Sequence, residues 1–196
     1  MGRTARARRI GRFAFGAALF LISLFEARRG ELPGYEARLF RHVNGASDRI
    51  RVPVRAVMQA GTFGTIPAVS VLAALAGRRR LAAGLAVGGT IAWVGAKLVK
   101  PFGGRARPKG VLPDVTIREG IAGDLGWVSG HTAVATTLAL VAAEELPRNA
   151  RPLLAGIVCT VAFGRMYVGA HLPHDVVGGA GLGMMISAVI PPVDAN

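Results

Sequence analysis

Long, charge-free apolar runs alternate with short arginine-rich stretches along this chain. An apolar run of about 20 residues is typical of a helix that crosses a membrane, because that length spans the hydrocarbon core. The pattern predicts an all-α fold, a polytopic bundle of about six transmembrane helices that forms one domain over residues 1–196. The predicted spans cover residues 13–25, 56–77, 81–99, 132–146, 152–169 and 176–193.

Composition and charge agree with a membrane location. The chain is 52% hydrophobic and 18% charged, and its mean hydropathy of +0.43 is high for a soluble enzyme. The net charge of +13 suits either nucleic acid or an anionic membrane surface. Because the arginines flank apolar runs, we expect membrane lipids as partners and no nucleic acid. The single cysteine, Cys159, excludes an intrachain disulfide.

Arginine bias predicts the orientation of the bundle. Cytoplasmic loops of membrane proteins carry an excess of Lys and Arg. Three basic segments fall on one side of the predicted topology: the N-terminus 1–12, residues 78–80, and the pair Arg148 and Arg151. We therefore expect a multi-pass protein of the cell membrane with a cytoplasmic N-terminus. The 26–55 connection then lies outside, although its seven arginines against four acidic residues run contrary to the rule.

Within that connection, apolar residues recur every three or four positions. They predict an extracytoplasmic amphipathic helix over residues 32–44, which lies on the membrane surface with its arginines on lipid phosphates. A helix packed over the loop of the first two motifs described below fits the same pattern, and both arrangements are compatible. The recurring residues are Leu32, Tyr35, Leu39 and Val43.

Small residues recur at four-residue spacing in two predicted spans. Gly84 and Gly88 form one such pair, and Gly179 and Gly183 form the other. This spacing fits close packing of helices inside a bilayer, and a homo-oligomer through these faces is a further expectation. An Ala- and Gly-rich chain also produces such spacings by chance.

Three motifs between residues 100 and 175 combine cations with histidines and one carboxylate. Each lies at the end of a predicted span, where a cluster of ionisable residues indicates function. The predicted topology brings all three to the extracytoplasmic side. They are Lys100-x6-Arg107-Pro108, Ser129-Gly130-His131 and Arg165-x5-His171-x3-Asp175.

The first two motifs suit an anion and its leaving group. Lys100 supplies a mobile point charge and Arg107 a planar fork of donors, which together suit a tetrahedral oxyanion. Taken alone, this pair also fits an ordinary basic juxtamembrane cluster. Ser129 is a candidate N-cap, and Gly130 lets backbone N–H groups approach a ligand. His131, in the first turn of the helix, is placed to donate a proton to a departing alkoxide.

The third motif pairs a histidine with a carboxylate. Asp175 lies four residues after His171, and Pro173 suits the first turn of the following helix. A carboxylate at this spacing accepts the Nδ1–H of His171 and leaves Nε2 unprotonated and directed outward. Arg165 adds a third cation. His174 lacks the four-residue relation to Asp175, so we expect it to lie outside the site.

The order and spacing of these motifs resemble the type 2 phosphatidic-acid phosphatase family, whose constellation the vanadium haloperoxidases share. The resemblance covers residues 100–175. It implies a phosphohistidine on His171, protonation of the leaving oxygen by His131, and no metal or cofactor. The family pattern has a proline where this chain has Val128 and a serine where it has Gly164. The phosphate-binding residues that the resemblance implies are Lys100, Arg107, Ser129, Gly130 and Arg165.

Residues and resemblance together predict an integral-membrane lipid phosphatase acting on a lipid phosphomonoester or pyrophosphate. The Ala-, Arg- and Gly-rich composition is typical of a GC-rich bacterial genome. It favours polyprenyl (pyro)phosphate over phosphatidic acid or phosphatidylglycerol phosphate. A lipid phosphotransferase, or a phosphatase for polyprenyl-phosphoryl-sugar phosphates of envelope synthesis, would use the same site, whereas a haloperoxidase would be soluble. The non-enzyme alternative is a protein that only binds lipid phosphates, which the intact His131, His171 and Asp175 oppose.

Overall fold

The computed structural model describes residues 3–120 and 123–191. Over this part of the chain the structure is helical and without strands, which confirms the all-α prediction. Short 3-10 turns lie at Asp48–Ile50, Gln59–Gly61 and Arg148–Ala150. The α-helices are α1 (Arg3–Arg28), α2 (Gly34–Asn44), α3 (Arg51–Met58), α4 (Thr65–Leu75), α5 (Arg79–Gly103), α6 (Pro108–Val111), α7 (Gly130–Glu145), α8 (Arg151–Tyr167) and α9 (Pro173–Val189).

Two helical stretches are long and apolar enough to cross a membrane. They are Thr4–Arg28 and Arg79–Gly103, each 25 residues long, and they identify a membrane protein. Helices α7, α8 and α9 have 16, 17 and 17 residues, slightly below the ~20 of a typical span. The count of six spans therefore stays a prediction. Residues 192 and 193, at the end of the sixth predicted span, lie outside the described part of the chain.

The second predicted span is not one helix. Residues 56–77 are apolar enough for a continuous span, but the structure bends there. The segments Asp48–Gly61 and Thr65–Leu75 meet at 70°, and the backbone of Thr62 between them is extended. The prediction of a single straight helix in this region was therefore wrong.

Packing against α7 gives the physical reason for the bend. A Cβ at Gly61 would lie 2.5 Å from the carbonyl oxygen of His131, so glycine lets the chain pass close to the start of α7. The bend also directs α3 towards α8, where Met58 packs against Gly164. Hydropathy predicts an apolar segment here, but the direction of the chain depends on the contact of Gly61 with α7.

Helix α9 is central in the bundle and packs closely against α1 and α7. A Cβ at Gly179 or Gly183 would lie 2.4 or 2.6 Å from carbonyl oxygens at the start of α7, so these glycines allow the two backbones to approach. A Cβ at Gly84 or Gly88 of α5 would lie 3.3 or 3.1 Å from side chains of α7. Both small-residue faces thus pack within one chain, and the predicted homo-oligomer stays a prediction.

The bundle separates the basic segments from the motifs. Arg12 of α1 pairs with Glu144 at the end of α7 (2.5 Å), and Arg78 pairs with Glu145 (3.4 Å). Arg9 donates to carbonyl oxygens at the end of α9. The motifs lie at the opposite end, where α5 and α8 finish and α7 and α9 begin.

Helix α2 lies in the predicted amphipathic segment, and its buried side includes Val43 of the recurring apolar residues. Phe40 and Glu36 are completely buried, whereas Tyr35 and Leu39 are 54% and 47% exposed. The helix packs over Leu172 and neighbouring loop residues, as in the second arrangement considered above. Tyr35 and Leu39 stay exposed on the protein, so contact of this helix with the membrane surface stays a prediction. Glu36 is buried because of tertiary partners described below, which hydropathy does not reveal.

Candidate active site

Lys100 lies in the last turn of α5 and organises the loop that leads into α7. Its Nζ donates hydrogen bonds to the carbonyl oxygens of Leu125 (3.2 Å), Gly126 (3.1 Å) and Val128 (3.0 Å). These contacts match the three donors of an ammonium group. Lys100 therefore fixes the approach to Ser129 as well as adding positive charge beside the third motif.

Arg107 joins two loops of the site. Its Nε donates to the carbonyl oxygen of Gly123 (2.7 Å), and its Nη1 donates to that of Ala170 (2.8 Å). Its backbone N–H donates to the carbonyl oxygen of Asp124 (3.0 Å). These bonds orient the guanidinium across the site and hold it against Ala170, the residue directly before His171.

Ser129 caps α7, as predicted from the sequence. Its hydroxyl accepts hydrogen bonds from the N–H of Thr132 (3.4 Å) and from the Thr132 hydroxyl (3.0 Å). The Ser129 N–H donates to the carbonyl oxygen of Asp175 (2.9 Å), which joins the second motif to the third. Gly130 and His131 then form the first turn, where helix N–H groups have no intrahelical partner and favour anions.

Arg165 holds the turn that carries His171. Its carbonyl oxygen accepts the N–H groups of Ala170 (3.0 Å) and His171 (3.1 Å). Gly169 makes this tight turn possible, since its φ of 80° is strained for other residues and a Cβ would lie 2.7 Å from the carbonyl oxygen of Thr116. The buried Arg165 side chain pairs with Glu119 at 3.1 Å, and its charge acts on the His171 ring.

His171 and Asp175 form a buried pair. Nδ1 of His171 lies 3.5 Å from Oδ2 of Asp175, and the same oxygen accepts the N–H of Leu172 (2.8 Å). Burial holds the pKa of His171 well below its ordinary value, and the nearby cations Arg165 and Lys100 lower it further. The imidazole is therefore neutral near pH 7, the state in which a ring nitrogen is nucleophilic.

The structure brings the predicted site residues to one place. Charges close enough to act on the His171 ring come from both other motifs. A backbone hydrogen bond joins Ser129 to Asp175, and the Lys100 and Arg107 side chains donate to the loops beside these motifs. A cavity of about 560 Å³ lies next to Arg107, and its other lining residues include Glu119 and Gly169. The arrangement can hold a tetrahedral anion against a neutral histidine. The residues assembled are Lys100, Arg107, Ser129, Gly130, His131, Arg165, His171 and Asp175.

Metal ligation offers no alternative arrangement within residues 3–120 and 123–191. No group of three or more His, Cys, Asp or Glu side chains there is placed to hold an ion. The positively charged and donor groups at this place are Lys and Arg side chains and backbone N–H groups.

Sequence reasoning missed three charged residues at the site. Glu119 pairs with Nη1 of Arg165 at 3.1 Å, and it lines the cavity. Glu36 and Arg105 form a buried pair that reaches Asp175. Glu119 and Glu36 belong to no motif, and Arg105 reads as one more cation near Arg107, so no local signal identified them.

Packing accounts for the two departures from the family pattern. A Cβ at Gly164, where the family has a serine, would lie 2.9 Å from the sulfur of Met58. Val128, where the family has a proline, is completely buried and packs against Gly178 of α9. Both positions fit their neighbours, and neither side chain takes part in the ion pairs described here.

Comparison with known proteins agrees with this geometry. Residues 79–195 match the PAP2 superfamily, which is more than half of the chain and includes every motif residue. The chain therefore belongs to the PAP2 superfamily of phosphatases, which confirms the resemblance seen in its motifs. No curated protein sequence gives a significant match.

Two solved structures share the fold. LpxE of Aquifex aeolicus superimposes with a TM-score of 0.70 at 24% identity, over 77% of this chain and 91% of that one. The first transmembrane PAP2-type phosphatidylglycerolphosphate phosphatase from Bacillus subtilis superimposes with a TM-score of 0.74 at 18% identity, over 89% of this chain and 93% of that one. At this identity the similarity establishes the fold.

Proposed function

We propose that this chain is an integral-membrane lipid phosphatase, which hydrolyses a phosphomonoester or pyrophosphate of a lipid. The observation that carries the proposal is the convergence of three cations and His131 on the buried His171–Asp175 pair. Such a site binds a tetrahedral anion and supplies both a nucleophile and an acid. Membership of the PAP2 superfamily supports the reaction class.

The proposed first step transfers the phosphoryl group to the protein. Nε2 of His171 attacks phosphorus, a P–N bond forms, and the bond from phosphorus to the leaving oxygen breaks. Burial and the cations Arg165 and Arg107 lower the pKa of His131 to about 3, so this ring begins neutral. It takes a proton from the bound phosphate monoanion and passes it to the leaving oxygen, so the lipid leaves as an alcohol or, from a pyrophosphate, as a monophosphate. The three cations stabilise the charge on the equatorial oxygens.

The proposed second step returns the site to its starting state. Water attacks the phosphohistidine while His131 takes a proton from it, and the P–N bond breaks. Inorganic phosphate leaves with the proton that His131 took from water, and both histidines are again neutral. Throughout both steps Asp175 faces Nδ1 of His171, which keeps the ring oriented. Neither step requires a metal ion or an organic cofactor.

A lipid substrate follows from where the site lies. The motifs occupy the ends of apolar helices, so a lipid can keep its tail in the bilayer while its phosphate enters the site. One structure with the same fold is named a phosphatidylglycerolphosphate phosphatase, which supports a lipid phosphate. Among lipids we favour polyprenyl (pyro)phosphate, on the compositional argument for a bacterial envelope, ahead of phosphatidic acid and phosphatidylglycerol phosphate.

The first prediction compares lipid and soluble substrates. We expect kcat/KM for a long-chain polyprenyl or diacyl phosphate to exceed that for p-nitrophenyl phosphate by at least about tenfold, or ~1.4 kcal/mol. The advantage comes mainly from presentation of the lipid phosphate at the membrane interface. Binding of the tail adds little affinity, because the tail leaves lipid rather than water. Phosphate release in mixed micelles at fixed surface concentration measures it, with His171→Ala as the blank. Equal turnover of a soluble ester would contradict a membrane substrate.

The second prediction concerns metals and vanadate. We expect EDTA to leave phosphate release unchanged within about twofold, because the charge stabilisation comes from Lys and Arg side chains. Vanadate should inhibit competitively, since it adopts the five-coordinate geometry of the transition state. Activity that is lost in EDTA and restored by Mg²⁺ would overturn this mechanism.

The same geometry supports a multi-pass protein of the cell membrane with an extracytoplasmic active site. The arginines of the N-terminal helix and Arg78 contact the ends of α7 and α9 that point away from the motifs. Because basic segments favour the cytoplasmic side, the motifs would face outward. We expect membrane lipids to surround the helices at both the cytoplasmic and the extracytoplasmic end of the bundle.

The third prediction tests this orientation with paired cysteines. In a Cys159→Ser background, we expect Pro113→Cys, near the motifs, to react with an impermeant maleimide in intact spheroplasts. Arg79→Cys, at the opposite end, is the matched control and should react only after permeabilisation. Both positions are exposed on the protein surface, so a difference in their labelling would come from the membrane barrier alone. The reverse labelling pattern would place the active site in the cytoplasm.

A further inference from the structure

Glu36 is a completely buried carboxylate that the proposed reaction does not use. Both of its oxygens receive the Arg105 fork, at 2.9 and 2.5 Å, and it also accepts the backbone N–H of His174 at 2.9 Å. The His174 ring lies 3.1 Å away. Burial alone would raise the pKa of Glu36, but hydrogen bonds from His174 and Arg105 lower it to about 2. The group is therefore a fixed anion.

Arg105 connects this anion to the reacting pair. It is itself buried, and its Nη1 faces Glu36 on one side and Oδ1 of Asp175 on the other, at 3.6 Å. The second oxygen of Asp175 faces Nδ1 of His171. One guanidinium thus lies between two buried carboxylates, and one of these orients the histidine. The charged groups thus form a line from α2 to His171, in which the two contacts of Asp175 are ion-pair distances of 3.6 and 3.5 Å.

Docking of α2 alone does not explain this network. Phe40 already packs α2 against Leu172 and Leu112 in an apolar cluster. Buried ion pairs are often no more stabilising than apolar residues of similar volume, because desolvation offsets the attraction between the charges. The contact that apolar packing cannot replace is the one from Arg105 to Asp175.

We propose that Glu36 and Arg105 are positioning residues for the phosphoryl transfer, with Glu36 fixing the Arg105 fork and Arg105 holding Asp175 against His171. The inference rests on the proposed function, since it assigns these residues to the same site. Neither residue touches the phosphate. Their role is to keep the Asp175 carboxylate charged and correctly placed inside a buried environment.

Conservative variants test the role of each group. Glu36→Gln keeps the volume but turns an NH₂ group towards Arg105, so the fork should shift away from Asp175. We expect kcat to fall by about tenfold while KM stays within about twofold, because the ground state keeps its phosphate ligands. Arg105→Lys keeps the charge but cannot bridge two carboxylates, and it should lower kcat at least as much. If one of these variants fails to fold, the other still tests the proposal.

A matched control comes from the same helix. Arg41 of α2 pairs with Asp114 at 2.7 Å, but this ion pair is exposed and lies away from Asp175. Asp114→Asn should therefore leave kcat within about twofold of wild type, as expected for a surface ion pair. A tenfold loss in this control would mean that any disturbance of α2 lowers turnover, which overturns the specific role of Glu36.

A double-mutant cycle separates positioning from structural support. If Glu36 acts through Asp175, Glu36→Gln should have less than about a twofold further effect on the residual rate of Asp175→Asn. An undiminished tenfold effect in that background would show that Glu36 acts elsewhere, and would overturn the proposal. Unchanged kcat in Glu36→Gln would overturn it directly.

A spectroscopic readout does not depend on turnover. The chain has four histidines, so ¹⁵N-histidine spectra in micelles are simple, and His171→Ala identifies the His171 signals. We expect His171 to carry its proton on Nδ1 in the wild type and to show both tautomers in Glu36→Gln. An unchanged tautomer overturns the positioning role. If the wild type releases no phosphate from any lipid, the proposed function fails, and this spectrum still decides the inference.

Discussion

Replacing His171 with alanine should reduce kcat for lipid phosphate release by at least about 10⁴-fold, because the variant lacks the atom that attacks phosphorus. His171 is neutral and buried among cations, so no water molecule held in its place would match its nucleophilicity. The measurement is single-turnover phosphate release in mixed micelles at high enzyme concentration. Thermal unfolding in detergent checks that the variant is folded.

The neighbouring histidine gives the matched control. His174→Ala removes a ring that faces Glu36 and Tyr35 rather than the phosphate, and it keeps the backbone N–H that donates to Glu36. We expect it to retain at least about a third of wild-type kcat, a change well below that for a nucleophile. Similar losses in two folded variants would show that the four-residue spacing to Asp175 identified the wrong histidine.

Asp175→Asn should lower kcat by about 10³-fold with little change in KM, because the amide no longer favours a proton on Nδ1 of His171. A ring protonated on Nε2 cannot attack phosphorus. The backbone contacts of residue 175 to Ser129 and Leu172 do not depend on the carboxylate charge, so the turn should survive. Steady-state kinetics on the favoured lipid measure the effect, and Asp114→Asn serves as the exposed Asp-to-Asn control. A change in KM with unchanged kcat would assign Asp175 to substrate binding instead.

The helical fold could be predicted because its signals are local. Apolar runs, arginine flanks and the cap at Ser129 each lie within a few residues of the feature they predict. The bend between α3 and α4 could not be predicted in this way. Residues 56–77 carry no charged side chain and are apolar enough for a continuous span. The reason for the bend is the contact of Gly61 with the backbone of His131, some distance along the chain.

The candidate site was predictable to the extent that its chemistry lies in short motifs. Ser129 and the Arg165 turn take the local positions that their spacing indicates, and the structure joins them through backbone hydrogen bonds. Lys100 has a second role that its motif does not predict. The motif predicts a phosphate ligand, and the structure adds that its Nζ orders a loop 25 to 28 residues further along the chain. Only folding brings that loop to it.

A helical membrane protein with cations, two histidines and a carboxylate suited to phosphoryl transfer can be predicted from the sequence alone. These properties follow from hydropathy, side-chain chemistry and spacing within single segments. The tertiary structure decided which face of α2 is buried and which charges support the site. Glu36 meets Arg105 across 69 residues and Arg165 meets Glu119 across 46, and such pairs leave no local pattern. A buried charge is stable only when folding supplies its partner, so these contacts depend on the packing of whole helices.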